Sequence, residues 1–210
     1  MFVGKPIIGI AGGIGSGKSF VARIFGEMGC LVLDADEQVK QAYKTPQVKQ
    51  TLRKWWGNLI FGPDGEIDRA AVARKVFTRP DELRRLEQLL HPLIRQVRQQ
   101  VMKARAHDPQ VLAFVLDAPL LFEAELNKEC DAVVFVEAPV ELRVQRVGQA
   151  RGWQAAELES REKLQMPLDN KRRMSDHVVD NAASADQVRA QVREVLSRIF
   201  AGLTPKTGLG

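Results

Sequence analysis

One short stretch near the start of the chain has the residue types and spacing of a phosphate-binding loop. Residues 12–19 read Gly-Gly-Ile-Gly-Ser-Gly-Lys-Ser, which matches the pattern Gly-x-x-x-x-Gly-Lys-Ser. Glycines let the backbone approach a phosphate chain closely, so several N–H groups can point at one anion. Lys18 would add a positive charge for the β- and γ-phosphates, and the Ser19 hydroxyl is a ligand type for Mg²⁺. The residues expected to hold the nucleotide are Gly13, Ile14, Gly15, Ser16, Gly17, Lys18, Ser19 and Phe20.

The flanking sequence favours this assignment over a glycine-rich turn without a ligand. An apolar run at residues 7–11 predicts a short buried strand before the loop, and residues 20–28 predict a helix that ends at Gly29. The amino terminus of a helix has unpaired N–H groups and a positive dipole end, and both favour a bound anion. The order strand, glycine loop, helix therefore predicts a nucleotide-phosphate site.

Acidic residues follow two further apolar runs. Residues 31–33 predict a strand that leads into Asp34 and Asp36, and residues 111–116 predict a strand that leads into Asp117. In open α/β sheets ligands bind at the carboxyl ends of the strands, so these acids should lie near the loop. Asp117 has the place of a carboxylate that holds Mg²⁺ directly or through water. Asp34 is a candidate for chemistry, whereas Asp36 could equally cap the helix that follows it.

The remaining pattern predicts an α/β fold with two helical additions. The nearly continuous apolarity before Asp117 is typical of a strand buried in a parallel sheet, and residues 132–136 and 177–181 predict further strands. Residues 37–107 are mostly helical by pattern, which is too long for a plain crossover and predicts an insertion that could cover a second substrate. Within it, Asp68 should cap one helix and Pro92 should restart another, which places His91 at a helix junction. The restarted helix should face inward with Leu93, Ile94, Val97 and Val101, which recur at three- and four-residue steps. His91 is either a structural histidine or a substrate-side residue.

A basic segment lies between the last two predicted strands. From Arg143 to Arg173 there are eight basic and four acidic residues, and Trp153 lies where the chain turns between two helices. Part of this charge must belong to solvated helix faces. Phosphoryl transfer nevertheless needs cations on the migrating group, and arginines on a closing flap supply them while they exclude water. The segment therefore predicts a lid.

Composition limits the class of protein. The chain has 210 residues, 45% of them hydrophobic, and a net charge of +5. That charge suits either nucleic acid or polyanionic small molecules, but no nucleic-acid-binding pattern is present and aromatic residues make up only 6%. No apolar run reaches the ~20 residues of a membrane span. Cys30 and Cys130 have no metal-ligand or CxxC spacing, which is typical of reduced thiols in a cytoplasmic protein.

Several motifs occur in an order that resembles the dephospho-CoA kinases, from about residue 6 to residue 200. They are the glycine loop, Asp34-Ala35-Asp36, His91-Pro92-Leu93-Ile94, Asp117-Ala118-Pro119-Leu120-Leu121-Phe122-Glu123, Arg161 with Gln165-Met166-Pro167, and residues 176–181. The glycine loop alone is shared by many families, whereas the combination is much more specific. Two departures are Phe20, where many such loops have a second Ser or Thr, and Arg151-Gly152, where relatives often have a polar or acidic residue after the arginine.

The resemblance implies a function and roles for residues. The function is ATP-dependent phosphorylation of the ribose 3′-hydroxyl of dephospho-CoA, the last step of coenzyme A synthesis, with Mg²⁺. Asp34 would be the base, and His91, Pro119 and Leu120 would lie on the substrate side. The lid arginines would be Arg143, Arg146 and Arg161, and Asn181 would lie near the adenine.

The implied architecture is a P-loop NTPase parallel sheet flanked by helices. Residues 1–36, 108–140 and 174–202 would form the core, residues 37–107 the acceptor domain, residues 141–173 the lid and residues 203–210 a flexible tail. The expected partners are small-molecule substrates, with no nucleic acid or membrane, and the chain should be a monomer or a weak homo-oligomer.

Two alternatives stay open. One is a kinase with a different small-molecule acceptor on the same scaffold. The other is a GTPase-like switch, which usually has Asn-Lys-x-Asp after an apolar strand. The nearest match, Asn127-Lys128-Glu129-Cys130, ends in cysteine and precedes its strand.

Overall fold

A computed structural model of the chain describes residues 1–77 and 79–203. The described strands are β1 (Ile7–Gly12), β2 (Cys30–Asp34), β3 (Ala113–Asp117), β4 (Ala132–Glu137) and β5 (His177–Asp180). The described α-helices are α1 (Lys18–Glu27), α2 (Ala35–Lys44), α3 (Pro46–Trp56), α4 (Arg69–Val76), α5 (Pro80–Arg105), α6 (Val140–Arg151), α7 (Ala155–Glu162), α8 (Leu168–Arg173) and α9 (Ala185–Leu203).

The five described strands form one parallel sheet in the order β2-β3-β1-β4-β5. All residues of β3 are buried between its two neighbours, as its continuous apolar sequence predicts. The sheet shares a core with Val21 and Phe25 of α1 and with Val188 and Val192 of α9. Burying each of these side chains contributes about 1.5–3 kcal/mol relative to leaving it exposed. The predicted fold class, a parallel P-loop-type sheet flanked by helices, is confirmed.

The chain divides into two compact units. One consists of Met1–Asp34 with the chain from Arg105 onward, and it contains the sheet; the other is Ala35–Ala104. The second unit has its own core, to which Val48, Leu52 and Trp56 belong. There Asp68 caps α4 as predicted, because its carboxylate accepts hydrogen bonds from the N–H groups of Ala70 and Ala71 at 2.8 and 3.2 Å.

The assignment of residues 37–107 as an acceptor domain and of residues 141–173 as a lid remains a prediction. The predicted tail begins at Leu203, the last residue of α9, and otherwise falls outside the described residues. In the part of the chain that is described, no helix is both long enough and apolar enough to span a membrane.

The predicted helix restart at Pro92 is wrong, because α5 runs without a break from Pro80 to Arg105. A proline inside a helix removes one hydrogen bond and clashes with the carbonyl of residue i−4, at a cost of about 3 kcal/mol. That carbonyl belongs to Gln88, which is exposed and can be solvated. Leu90 before the proline and Ile94 after it pack into the same core, which keeps both halves in one helix. His91 is therefore an exposed mid-helix residue rather than a junction.

The inward face of α5 also differs from the prediction toward its carboxyl end. Leu93 and Ile94 pack against the core of this unit as predicted. Val101, which was expected to face inward, is exposed, whereas the neighbouring Arg98 and Met102 are buried. Which of these side chains is buried depends on tertiary contacts, and the three- and four-residue spacing alone does not specify those contacts.

Candidate active site

The glycine loop has the backbone shape of an anion site. It joins β1 to α1, and Gly17 immediately before the helix has φ +87°, in the left-handed region that favours glycine. A Cβ atom at Gly17 would lie 2.2 Å from Nδ2 of Asn181, so a side chain is also excluded sterically. The last glycine of the motif is therefore required both by conformation and by contact.

Carbonyl groups of the loop are held on one side by three of the predicted site residues. Arg143 Nη1 donates to the Ile14 carbonyl at 3.3 Å. Arg146 Nη1 and Asn181 Nδ2 both donate to the Ser16 carbonyl, at 3.1 and 2.7 Å. In a planar trans peptide the next N–H points the opposite way, so the N–H groups of residues 15 and 17 face away from these side chains. Together with the first N–H groups of α1 they form a donor surface suited to a phosphate.

Asn181 and Arg146 also contact each other. Arg146 Nη2 donates to the Asn181 carbonyl at 2.8 Å, and Asn181 is buried. The resemblance implied that Asn181 lies near the adenine and that Arg146 is a lid arginine. The observed hydrogen bonds give both residues an additional structural role, because they hold the Ser16 carbonyl and so stabilise the shape of the glycine loop.

Lys18 lies folded over the loop. Its ammonium donates to the carbonyls of Gly12 and Gly13 at 3.1 and 2.9 Å. Burial lowers the pKa of Lys18 from 10.5 to about 8, an effect that Asp117 opposes and that Lys171 and Arg151 increase. Lys18 is therefore mainly a cation at neutral pH, and its charge is sensitive to a modest rise in pH.

Asp34 and Asp117 are brought together at the carboxyl edge of the sheet, as predicted. Asp34 ends β2 and Asp117 ends β3, and the two residues are partners in the register of these strands. Asp117 is also the register partner of Ile10 in β1, just before the glycine loop. Partners in parallel strands point to the same face and lie about 4.8 Å apart. Asp117 is only 8% exposed, whereas Asp34 is exposed.

The alternative role for Asp36 as a helix cap is wrong, because α2 already begins at Ala35. Asp36 instead lies in the first turn of α2, where a negative charge interacts favourably with the helix dipole. Asp36 belongs to the second unit, whereas the sheet belongs to the first.

The donor set fits a magnesium ion that arrives with a nucleotide. Among the described residues there is no group of three or more His, Cys, Asp and Glu side chains that could hold a metal ion. Mg²⁺ at nucleotide sites takes only one or two protein ligands and completes its shell with phosphate oxygens and water. Ser19, exposed in the first turn of α1, and Asp117 at the edge of the sheet supply suitable oxygens.

The three predicted lid arginines have different surroundings. Arg143 is buried and forms an ion pair with Glu162 at the end of α7. Arg146 contacts the loop as described above. Arg161 is exposed, pairs with Glu157 at 2.8 Å, and stacks over the Trp153 ring at 4.1 Å. The structure thus brings Arg143 and Arg146 to the glycine loop and gives Arg161 contacts within the lid segment.

Three charged residues near the site were not predicted. Glu162 pairs with Arg143, and the buried Lys171 pairs with Glu123 at 2.8 Å. Glu162 lies in a charged helix, and a sequence does not reveal which lysine will be buried. The position of Glu123 at the end of an apolar motif was the available signal.

The predicted substrate-side residues are solvent-accessible. Pro119 and Leu120 are exposed on the turn after β3, and His91 is exposed on α5 of the second unit. Their contacts with a substrate remain predictions.

Comparisons with known proteins point to one family. The family described as dephospho-CoA kinase matches residues 6–187. A dephospho-CoA kinase from Rhodopseudomonas palustris is 38% identical over 190 residues, which cover 90% of this chain and 94% of that protein. The structure of TT1252 from Thermus thermophilus is 34% identical, with a TM-score of 0.81 over 95% of this chain and 98% of that one. A dephospho-CoA kinase from Campylobacter jejuni is 21% identical and shares the fold, with a TM-score of 0.62 over 93% of this chain and 98% of that one.

Proposed function

The chain belongs to the dephospho-CoA kinase family, and we propose that it transfers the γ-phosphoryl group of ATP to the ribose 3′-hydroxyl of dephospho-CoA. The family catalyses the last step of coenzyme A biosynthesis. The observation that carries the proposal is the arrangement at the edge of the sheet. There the glycine loop with Lys18 lies beside Asp117, and Asp34 ends the neighbouring strand.

The glycine loop and Lys18 bind the triphosphate. The N–H groups that face away from Arg143, Arg146 and Asn181 donate to phosphate oxygens, and the Lys18 ammonium moves from the loop carbonyls to the phosphates. Because the loop is already held in shape by these three side chains, little conformational freedom is lost when ATP binds.

Asp34 is the proposed base. Its exposed carboxylate orients the 3′-hydroxyl and accepts its proton while the oxygen attacks the γ-phosphorus. The bond between the γ-phosphorus and the β–γ bridging oxygen breaks, and ADP carries the released electron pair. Holding the two reactants in line is the main contribution available to the protein in such a transfer.

Ser19 and Asp117 are the proposed holders of Mg²⁺. When it is bound, the ion neutralises charge on the β- and γ-phosphate oxygens. Arg143 and Arg146 add positive charge beside the loop. Arg161 is proposed as a lid residue, and its ion pair with Glu157 must break before it can reach the phosphates.

Three accessible residues are proposed to contact the acceptor. Pro119 and Leu120 are proposed to contact dephospho-CoA from the turn after β3, and His91 is proposed to contact it from the helical unit. Each is accessible in its own unit.

Asp34→Asn tests the chemistry directly. The change keeps the size of the side chain and one hydrogen-bonding oxygen but removes the base. We expect kcat to fall by about 100-fold or more, whereas the dissociation constant for ATP should change by less than about threefold. Steady-state kinetics and calorimetry measure both, with Asp64→Asn on an exposed turn as a control that keeps full activity. If Asp34→Asn retains kcat within a few-fold of the parent, Asp34 is not the base.

A further inference from the structure

Residues from two of the sequence motifs meet at an ion pair that the proposed mechanism does not use, between the buried Lys171 and the more exposed Glu123. Glu123 ends the motif that begins at Asp117, and Gln165 begins the Gln-Met-Pro motif. Lys171 Nζ lies 2.8 Å from Glu123 Oε1 and donates to Gln165 Oε1 at 3.0 Å. The same Glu123 oxygen accepts the Met166 N–H at 2.9 Å. Lys171 is only 1% exposed, so its ammonium depends on these partners.

Glu123 is ionised at neutral pH in this arrangement. Burial opposes its ionisation, but hydrogen bonds from the Lys171 ammonium and from main-chain N–H groups outweigh that effect and lower its pKa. The contact is therefore a charged pair rather than a neutral hydrogen bond. An apolar residue at position 171 would avoid the cost of burying an ammonium, so stability alone does not explain the presence of two charges.

The pair joins two segments of the candidate site. Glu123 lies on the turn after β3, downstream of Asp117. Lys171 lies on α8, which packs against β1. The first residue of α8, Leu168, reaches the glycine loop, since a Cβ atom at Gly13 would lie 3.2 Å from Leu168 Cδ1. The ion pair thus connects the segment that follows the metal-site carboxylate to the helix that lies against the loop.

The charge of Lys171 also acts on the loop lysine. Lys171 is close enough to Lys18 to contribute to the lowering of the Lys18 pKa. The other charged groups that act on Lys18 are Asp117, Arg151 and Glu162. A substitution of Lys171 should therefore change the electrostatic potential at Lys18, although Lys171 itself is buried.

We propose that Glu123 and Lys171 are a positioning pair for phosphoryl transfer, which fixes α8 on the glycine loop and the turn after β3 relative to each other. Neither side chain touches a substrate. Their contribution is to keep Asp117 and Lys18 in the geometry that the transition state requires. This inference rests on the proposed function for its kinetic test, whereas the NMR signals of the loop amides are independent of the acceptor.

Three variants separate positioning from mere packing: Glu123→Gln, Lys171→Met and the double variant. Glu123→Gln leaves the buried Lys171 ammonium without its carboxylate partner, and we expect it to lower the melting temperature more than Lys171→Met, which leaves a partly exposed carboxylate unpaired. The double variant removes both charges, and we expect it to recover most of that loss. Its kcat should nevertheless stay about tenfold or more below the parent with the KM for ATP changed less than about threefold, because a displacement of about 1 Å can cost about 100-fold in rate.

A matched control uses an ion pair on the protein surface. Glu194 and Arg198 on α9 form an ion pair whose side chains are 62% and 64% exposed. The double variant Glu194→Gln/Arg198→Met should leave kcat and melting temperature unchanged. If the Glu123→Gln/Lys171→Met enzyme regains both stability and parental kcat, the pair is only structural and the inference is overturned.

A spectroscopic readout keeps the test valid for any acceptor. We expect the amide resonances of Gly13 and Gly17 to shift in the Glu123→Gln/Lys171→Met protein and to stay in place in the surface control. Failure of the parent to phosphorylate dephospho-CoA would overturn the proposed function alone. Unshifted loop amides in the folded double variant would overturn the positioning pair alone.

Discussion

The lowered pKa of Lys18 predicts that ATP binding weakens at mildly alkaline pH. Burial reduces this pKa to about 8, with Asp117 opposing the shift and Lys171 and Arg151 increasing it. About nine-tenths of Lys18 is then protonated at pH 7 and about one-tenth at pH 9. Arginines keep their charge over this range. We therefore expect the affinity for ATP to fall above pH 8, approaching about tenfold for each pH unit, since the neutral amine does not attract a triphosphate.

The stability of the ligand-free protein should change in the opposite direction. The folded pKa of Lys18 lies below its ordinary value of 10.5, so between these pH values the unfolded chain binds more protons. The cost of burying the ammonium is fully present below pH 8 and is relieved as the pH rises toward 10.5. It amounts to at most about 3.4 kcal/mol, because one pKa unit corresponds to about 1.36 kcal/mol. Lys18→Met lacks this cost, so it should be more stable than the parent at pH 7, and the difference should shrink as the pH rises.

Calorimetric titration with Mg·ATP from pH 7 to pH 9.5 measures the first effect, and thermal unfolding of both proteins over the same range measures the second. Comparing the parent with Lys18→Met isolates Lys18 from other groups such as Cys30, whose pKa burial raises to about 12. In Lys18→Met the weak binding of ATP should be independent of pH above 8. The reasoning is refuted if the parent binds ATP equally well at pH 7 and pH 9.5, or if Lys18→Met shows the same alkaline loss.

Three further predictions concern the residues around the glycine loop. Gly17→Ala should abolish ATP binding measured by calorimetry while the protein stays folded by circular dichroism, because the new Cβ would meet Asn181 Nδ2 at 2.2 Å; normal binding would show that the loop can rearrange. Asn181→Ala removes the hydrogen bond to the Ser16 carbonyl and should weaken ATP binding by about 5- to 30-fold, equivalent to about 1–2 kcal/mol; an unchanged dissociation constant would make Asn181 dispensable for loop shape. Arg143→Ala should lower kcat/KM at least about tenfold more than Arg161→Ala, since only Arg143 contacts the loop; equal losses in steady-state assays would contradict that distinction.

The sheet and the glycine loop could be predicted because their signals are local. An apolar run, a fixed glycine spacing and an acid at the end of a run each occupy a few consecutive residues. The parallel topology then brings strand ends together, which is why Asp34 and Asp117 were expected at one edge and lie there as register partners. The α/β class followed from the same runs.

What could not be predicted depends on contacts between distant parts of the chain. Pro92 is a strong local break signal, yet apolar residues on both sides of it pack into one core and keep α5 continuous. The basic segment after β4 gave arginine candidates, but not that Arg143 and Arg146 turn inward while Arg161 pairs within its own helix. Nor does any spacing rule connect Lys171 to Glu123, because that pair depends on how α8 packs against the sheet.

The most direct test of the central claim is to incubate the purified protein with Mg·ATP and dephospho-CoA and to identify the products by mass spectrometry and ³¹P NMR. The account predicts coenzyme A with a new 3′-phosphate and an equimolar amount of ADP, and neither product with Lys18→Ala. Binding of ATP without formation of coenzyme A would contradict the proposed acceptor. Equal conversion by Lys18→Ala would contradict the site itself.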